Sequence, residues 1–135
     1  MDVIYNNALS ANDYCRLRKS VEWYDIPEHI AQKALEKSDY IITAVVDGII
    51  IGMARYITDG IQAFIMDVIV HPDFQGYGIG KRLTEELKRH IENTYNIIRV
   101  YLTTHEVNVG FYEKLGFEKL AVHQVSGMGL SYGIE

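Results

Sequence analysis

Two Asp-Gly dipeptides in the middle of the chain constrain its topology more than any other sequence feature. Asp47-Gly48 and Asp59-Gly60 separate three segments rich in β-branched residues, which are Tyr40–Val46, Ile49–Ile57 and Ile61–His71. An Asp-Gly pair between two such segments is typical of a tight hairpin, because both residues tolerate the positive φ angles that the turn requires. The pattern therefore predicts an antiparallel meander of three strands.

Helical patterns and single strands flank this meander on both sides. Before it, we expect a strand at Val3–Ala8, a helix from the capping box Ser10-Ala11-Asn12-Asp13 to Lys19, and a second helix from Pro27 to Lys37. After it, apolar residues recur every four positions and predict a helix over Gly78–Glu92.

The C-terminal part of the sequence predicts one more helix between strands. Ile97–Leu102 has the composition of a strand, and Thr103-Thr104-His105-Glu106 has the pattern of a capping box for a helix that ends at Leu115. Gly116 is expected as its C-terminal cap, and further strands are expected at Phe117–Val122 and near Met128–Tyr132.

The element order is thus β-α-α-β-β-β-α-β-α-β, with one more strand at the end. It predicts a mixed α/β (α+β) fold whose central sheet begins as an antiparallel meander. A length of 135 residues favours one domain over residues 1–135. The hydrophobic fraction of 48% is ordinary for a folded protein and excludes a disordered chain.

Composition also limits the partners that we expect. The net charge of −5 disfavours a nucleic-acid partner, because such proteins are usually basic. The apolar runs are too short to span a membrane, and the first residues lack a secretory pattern. The single cysteine, Cys15, and the dispersed histidines predict neither a disulfide nor a metal site. We therefore expect a cytoplasmic protein without a membrane partner.

The segment that indicates most about the chemistry is Asp67–Lys81, which joins the third strand of the meander to the long helix. Its glycine-rich turn would expose backbone N–H groups at a helix N-terminus, which suits a phosphate or pyrophosphate. Two common phosphate-binding motifs do not fit it. A Walker A loop would need glycine at position 75 and Ser or Thr at position 82, where this chain has Gln75 and Arg82. A dinucleotide fingerprint would need glycine at position 81, where the chain has Lys81.

The pattern that does fit is Gln75-x-x-Gly78-x-Gly80, between a strand and a helix. It resembles motif A of the GNAT superfamily of N-acetyltransferases. The order of elements is similar to that superfamily, and so is the downstream segment from Asn108 to Phe117. The resemblance covers essentially the whole chain.

The resemblance implies transfer of an acetyl group from acetyl-CoA, as co-substrate, to a primary amine. The turn amides would hold the pyrophosphate, and strand backbone groups would meet the pantetheine arm as an added strand does. Together with an asparagine on the following helix, the implied cofactor-binding residues are Val68, Ile69, Val70, Gln75, Gly76, Tyr77, Gly78, Ile79, Gly80, Lys81 and Asn108.

Two residues are candidates for acid and base catalysis. The resemblance implies that Tyr112 protonates the departing thiolate of CoA, and a phenol suits this because its ordinary pKa of about 10 lies near that of a thiol. Asp67 stands three residues before Val70, where related enzymes often carry an acid. It is a candidate base, acting directly or through water, and a structural carboxylate is an equal alternative.

The acceptor is less constrained by the sequence. A small-molecule amine is the expected acceptor, with Trp23, Tyr24 and Asp25 as residues on its side because aromatic rings and a carboxylate suit a cation. A protein or peptide N-acetyltransferase and a non-catalytic acyl-CoA-binding domain are the alternatives. The C-terminal tail leaves both an acceptor-pocket role and a homodimer contact open.

Overall fold

The computed structural model describes residues 1–97 and 99–132, and two compact units make up the chain, Met1–Leu102 and Thr103–Glu135. The first unit contains β1 (Ile4–Asn6), α1 (Ala11–Ser20), α2 (Glu28–Glu36), β2 (Tyr40–Val46), β3 (Ile49–Thr58), β4 (Gln62–Val70), α3 (Ile79–Thr94) and β5 (Arg99–Tyr101). The second unit contains α4 (Val109–Glu113). Short 3₁₀ turns lie at Pro72–Phe74, Glu106–Asn108 and Leu120–His123.

The five strands form one mixed sheet in the order β1-β2-β3-β4-β5. Neighbours from β1 to β4 are antiparallel, whereas β4 and β5 are parallel. The predicted meander is confirmed, with both Asp-Gly pairs at its turns. Asp47 and Gly48 have φ angles of 50° and 77°, as a two-residue hairpin turn requires.

Helices α1 and α2 pack on one face of this sheet. Tyr14 and Leu17 of α1 and Leu35 of α2 are buried in a cluster with Met53 of β3 and Ile69 of β4. Tyr14 and Leu17 lie three positions apart, and Leu35 lies four positions after the buried Ala31, so each helix presents one apolar face to the strands.

Helix α3 lies against the opposite face. Gly52, next to Met53 in β3, provides the space for this approach, since a Cβ atom there would lie 3.3 Å from the Leu83 side chain of α3 and 3.2 Å from the Ile69 carbonyl oxygen. The predicted apolar stripe of α3 is buried as expected: Ile79, Leu83, Leu87 and Ile91.

Of the two helix N-terminal caps that the sequence predicts, the structure contains the first and not the second. Ser10 caps α1, because its Oγ accepts a hydrogen bond from the Asp13 N–H at 3.0 Å. The cap predicted at Thr103 is wrong. The chain instead begins a 3₁₀ turn after His105, whose Nδ1 accepts a hydrogen bond from the Val107 N–H at 3.3 Å.

The predicted C-terminal strands are also wrong within the described residues. Gly116 does end the helical segment, with a φ of 96° and a hydrogen bond from the Phe117 N–H to the Tyr112 carbonyl at 3.1 Å. The chain then forms the 3₁₀ turn Leu120–His123, and residues 124–132 have no regular structure. Every residue from 121 to 132 is exposed, so this segment has no buried face to set a strand register. Ile98, within the predicted strand Ile97–Leu102, and residues 133–135 lie outside the described residues.

Candidate functional site

The chain reverses direction directly after β4. His71 begins the 3₁₀ turn Pro72–Phe74, and its Nδ1 accepts a hydrogen bond from the Asp73 N–H at 3.1 Å. The Gln75 side chain then donates from Nε2 to the Val70 carbonyl at 2.9 Å. His71 and Gln75 therefore hold the end of β4 and the following turn in one arrangement.

The glycine turn, which we define as residues 75–81, ends at the N-terminus of α3. Gly76 and Gly78 have φ angles of 85° and 80°. Residues other than glycine adopt such positive φ angles only with backbone strain. Gly78 is the N-cap residue, and no side chain caps the helix there. The first helical hydrogen bond runs from the Arg82 N–H to the Gly78 carbonyl at 3.1 Å. The preceding N–H groups are thus donors without a partner in the helix, as an anion site requires.

Two basic side chains, those of Lys81 and Arg82, lie in the first turn of α3. Lys81 is exposed, while the Arg82 guanidinium lies 4.6 Å from the centroid of the Tyr5 ring and bonds Glu86 at 3.1 Å. Both therefore add positive charge to the first turn of α3, in the same direction as the helix dipole.

One edge of β4 is open beside this turn. The parallel ladder with β5 has three residue pairs and ends at Phe64 and Tyr101. Residues 65–70 of β4 continue beyond it and, among the described residues, pair with β3 alone. Unpaired backbone N–H and C=O groups on such an edge can receive an extended ligand as an added strand. Val68, Ile69 and Val70 lie in this stretch.

A β-bulge interrupts β4 at Met66. Arg55 of β3 lies opposite Asp67 and Tyr56 lies opposite Ile65, which leaves Met66 without a partner in the register. The bulge precedes Asp67, so regular alternation continues from there to the end of the strand. Asp67 and Ile69 are buried, and Val68 and Val70 are half-buried.

Asp67 lies in a buried group of polar side chains that we call the Asp67 cluster, comprising Tyr14, Arg18, Arg55 and Asp67. The Oδ2 atom of Asp67 accepts hydrogen bonds from the Tyr14 hydroxyl and from Arg55 Nε, both at 2.6 Å. The Asp67 side chain is 6% exposed. Burial, and then the charge of Asp67, raise the pKa of Tyr14, so its hydroxyl stays protonated and donates.

Sequence reasoning missed the partners of Asp67. Tyr14 and Arg55 lie 53 and 12 residues away in the chain. A usable signal was present, since Arg55 and Asp67 are the only charged residues within the apolar segments 49–57 and 61–70. A lone charge in each of two paired strands is typical of a buried ion pair.

Tyr112 and Asn108 lie in the C-terminal unit. The Tyr112 ring is half-buried and contacts the Phe111 and Phe117 rings edge-on, at centroid distances of 4.9 and 5.8 Å. Burial raises the pKa of Tyr112, and its hydroxyl makes no hydrogen bond within the part of the chain that the structure describes. Asn108 is exposed, at the N-cap position of α4. The four-residue spacing of Val107, Phe111 and Leu115 predicts an apolar stripe that faces the core, but Val107 is 79% exposed, so this prediction is wrong for Val107.

Comparison with known proteins identifies the family. A family model described as an acetyltransferase (GNAT) domain matches residues 11–132. The chain belongs to the GNAT superfamily of N-acetyltransferases. The resemblance seen in the glycine-rich motif and in the element order is therefore confirmed, and so is the enzyme class.

The relatives of this GNAT protein agree with that assignment. An uncharacterized N-acetyltransferase, ycf52, of Pyropia yezoensis is 34% identical over 119 residues, which cover 84% of this chain and 68% of that protein. A probable acetyltransferase of methicillin-resistant Staphylococcus aureus has the same fold with a TM-score of 0.87 and 25% identity, covering 97% of this chain and 100% of the other.

One solved structure of this fold contains coenzyme A. It is the PaiA N-acetyltransferase of Thermoplasma acidophilum, which is 21% identical, has a TM-score of 0.70 and covers 87% of this chain and 91% of its own. At this identity the likeness shows the fold alone.

The GNAT motif residues Gln75 to Lys81 run from the turn after β4 into the first turn of α3, and the turn begins beside the open strand edge of residues 65–70. Within residues 1–97 and 99–132, no group of three His, Cys, Asp or Glu side chains is arranged to hold a metal ion. In the same part of the chain, no helix is both long and apolar enough to cross a membrane.

Proposed function

We propose that this GNAT protein transfers an acetyl group from acetyl-CoA to a primary amine, most simply that of a small molecule. The observation that carries the proposal is the uncapped first turn of α3 directly beyond an open strand edge. CoA carries both groups that these features suit. Its pyrophosphate can accept hydrogen bonds from the uncapped helix N-terminus, and its extended pantetheine arm can pair with the open strand edge. The CoA complex of a protein with the same fold supports this choice of ligand.

The glycine turn would bind the pyrophosphate of CoA. The N–H groups of Ile79, Gly80 and Lys81 precede the first helical hydrogen bond and would donate to phosphate oxygens. Gly76, Tyr77 and Gly78 give this surface its backbone conformation, while Lys81 adds charge and Gln75 holds the turn against Val70. Val68, Ile69 and Val70 would offer backbone groups to the pantetheine arm, and Asn108 would bind near the cofactor.

Tyr112 is proposed as the general acid. In the reaction, the amine nitrogen attacks the thioester carbon, the C–S bond breaks, and the sulfur takes up a proton while the nitrogen loses one. The raised pKa of Tyr112, caused by burial, keeps its hydroxyl protonated at neutral pH. Its hydroxyl proton is not committed to another described residue. Both properties suit a group that must donate to the CoA thiolate.

For Asp67 the sequence left two roles, and we propose the structural one. A general base must reach the amine, directly or through water. Asp67 instead accepts two short hydrogen bonds on Oδ2, one of them from a guanidinium, and is 6% exposed. These contacts fix the carboxylate against α1 and β3, in the interior, where a bound amine would not reach it. The proton of the ammonium would then pass to water before the attack.

Calorimetric titration of acetyl-CoA tests the cofactor assignment. Wild-type protein is expected to bind saturably, and Gly78→Glu to lose binding, because the substitution adds a negative charge and strain where the pyrophosphate would lie. Gly48→Glu is the matched control, since Gly48 has a φ of 77° close to the 80° of Gly78 but lies in the β2–β3 turn. Absence of binding to folded wild-type protein would contradict the proposal.

Steady-state kinetics with Tyr112→Phe tests the chemical role. We expect kcat to fall by about 10²–10⁴, the range of general acid catalysis, with CoA affinity unchanged. Tyr132→Phe is the control, because Tyr132 is exposed in the tail. If wild-type protein binds CoA but acetylates none of a broad panel of amines, peptides included, the non-catalytic acyl-CoA-binding domain becomes the better interpretation. Preferential turnover of peptides would favour a protein N-acetyltransferase.

A further inference from the structure

The Asp67 cluster contains one positive charge more than it can balance. Arg55 Nε lies 2.6 Å from Asp67 Oδ2, a close ion pair, while Arg18 Nη1 lies 4.0 Å from the other carboxylate oxygen. The cluster thus holds two guanidiniums and one carboxylate, because Tyr14 is neutral. Arg18 supplies the excess charge with a side chain only 10% exposed. A buried charge without a full partner is costly, which makes its presence informative.

The hydrogen bonds of Arg18 are long and incomplete. Its Nη1 donates to the Tyr14 hydroxyl and its Nη2 to the Tyr24 carbonyl, both at 3.3 Å. The Nε–H is buried and has no hydrogen-bond partner among the described residues. A guanidinium has five N–H donors, so Arg18 retains unused donor capacity in the interior.

Two aromatic side chains of the α1–α2 loop lie beside this guanidinium. Its Cζ atom lies 5.2 Å from the Trp23 ring centroid and 5.0 Å from that of Tyr24. Trp23 is 39% exposed and Tyr24 is 55% exposed, so these side chains connect Arg18 with solvent. Residues 23–27 of the loop have no regular structure, and Glu22 adopts a φ of 63°, which is strained for a side chain of its kind.

These rings are poor candidates for binding a cationic group. Both already face the positive charge of Arg18, and a second cation there would meet repulsion from it. An anion would instead balance the excess charge and accept from the unused N–H groups. Arg18 also presents the planar donor geometry that matches carboxylate and phosphate oxygens.

We propose that Arg18 binds a carboxylate or phosphate carried by the acceptor substrate, with Trp23 and Tyr24 flanking it. The substrate class is then an amine that also bears an anionic group. Naming this molecule the acceptor rests on the proposed acetyltransferase function, whereas binding of the anion at Arg18 does not.

Trp23 provides a direct probe, because it is the single tryptophan of the chain. Its fluorescence is titrated with two matched pairs of amines: 4-aminobutyrate against butylamine, and phosphoethanolamine against ethanolamine. We expect a saturable change with the anionic member of at least one pair and binding about ten-fold weaker, or none, with its partner. The two pairs distinguish a carboxylate site from a phosphate site. The proposal would be overturned by equal fluorescence responses within each pair. It would also be overturned by responses to butylamine and ethanolamine alone, which carry no anionic group.

Arg18→Gln and Lys19→Gln separate a specific contact from general charge. Both remove one positive charge from α1, but Lys19 is exposed. We expect Arg18→Gln to weaken anion binding by about ten-fold or more and Lys19→Gln to leave it unchanged. Arg18→Gln leaves the close Arg55–Asp67 pair balanced, so the variant is expected to fold. Should it not fold, Arg18→Lys keeps the charge without the planar donors and is expected to bind the anion more weakly than wild type.

The acetyl-CoA titration distinguishes the two proposals. CoA binding without any anion effect on Trp23 would overturn the Arg18 assignment and leave the acetyltransferase proposal standing. An anion site without CoA binding would remove the acceptor role and leave a binding site at Arg18. With both present, the anionic amine should also show the higher kcat/KM of its pair, and Arg18→Gln should raise its KM more than it lowers kcat.

Discussion

Strand β4 connects two regions that differ in whether their polar groups have hydrogen-bond partners. In the Asp67 cluster, side chains from α1, β3 and β4 meet in the interior, and Asp67 is held by two hydrogen bonds of 2.6 Å. In the glycine turn, a few residues further along the chain, backbone N–H groups at the surface lack a capping side chain. One region has its polar groups largely paired with each other, and the other leaves its donors available.

The difference indicates how the two regions contribute. The Asp67 cluster depends on the identity of particular side chains and fixes the position of β4 against α1. The glycine turn depends on backbone conformation and offers donors whatever the neighbouring side chains are. Substitutions in the cluster should therefore affect mainly the free energy of unfolding, and substitutions in the turn mainly the affinity for the proposed ligand.

The largest expected effect comes from Asp67→Asn. The substitution keeps the shape of the side chain but leaves the guanidiniums of Arg18 and Arg55 buried without a carboxylate. Removal of one partner of a buried ion pair destabilises proteins by about 3–5 kcal/mol. Equilibrium unfolding in urea at pH 7, far above the ordinary pKa of a carboxyl group, would measure the change in the free energy of unfolding.

A stability loss below about 1 kcal/mol would mean that the cluster behaves like a surface ion pair, and the contrast with the glycine turn would disappear. Tyr14→Phe tests the same cluster with a milder change. It removes one donor to Asp67 Oδ2 while Arg55 remains, so its effect should be smaller, at about 1–2 kcal/mol.

The two regions also differ in how far the sequence could predict them. The β2–β3 hairpin and the glycine turn follow from residues that are neighbours in the chain, where Asp-Gly and Gly-x-Gly patterns set backbone angles directly. The Asp67 cluster joins Tyr14 to Asp67 across 53 residues, and its pairing depends on a strand register that includes a bulge at Met66. Local patterns do not encode that register.

The C-terminal unit illustrates the same limit. Gly116 was predictable as a cap because positive φ is a local property of glycine. The strand expected after it needed a partner strand, and the described residues 117–132 pair with none. The roles of Tyr112 and Asn108 came from the family resemblance and remain predictions, and the kinetic test above addresses that of Tyr112.

Gly78→Ala should have the next largest effect, and Gly48→Ala is its control in a second region. Both glycines have φ near 80°, and a Cβ atom at either would meet nothing within 4 Å. Each substitution is therefore expected to lower the free energy of unfolding by about 1–2 kcal/mol through backbone strain alone. Only Gly78→Ala should weaken acetyl-CoA binding in calorimetry, because a shift in its φ re-aims the first N–H groups of α3. Equal acetyl-CoA affinities of Gly78→Ala and Gly48→Ala would contradict the assignment of the ligand site to the glycine turn.

The smallest effect is expected for Glu86→Gln. The native Glu86 carboxylate pairs with two guanidiniums, as Asp67 does, but those guanidiniums lie at the surface. They belong to Arg82 and Arg89 of α3, whose side chains are 53% and 61% exposed. Solvent screening should limit the loss to less than about 1 kcal/mol, and added salt should reduce it further.

The pH dependence of that small loss sharpens the contrast between a carboxylate with buried partners and one whose partners are exposed. Burial tends to raise the pKa of Glu86, but the hydrogen bonds from Arg89 and Arg82 outweigh it, so the pKa lies below the ordinary 4.5. A lowered carboxyl pKa stabilises the folded state fully above the unfolded value, and this contribution disappears as pH falls through the folded pKa. The unfolding curves of wild type and Glu86→Gln should thus differ slightly at pH 7 and coincide at acidic pH. A difference at pH 7 as large as that of Asp67→Asn would show that the number of paired charges, rather than their burial, sets the stability of both groups.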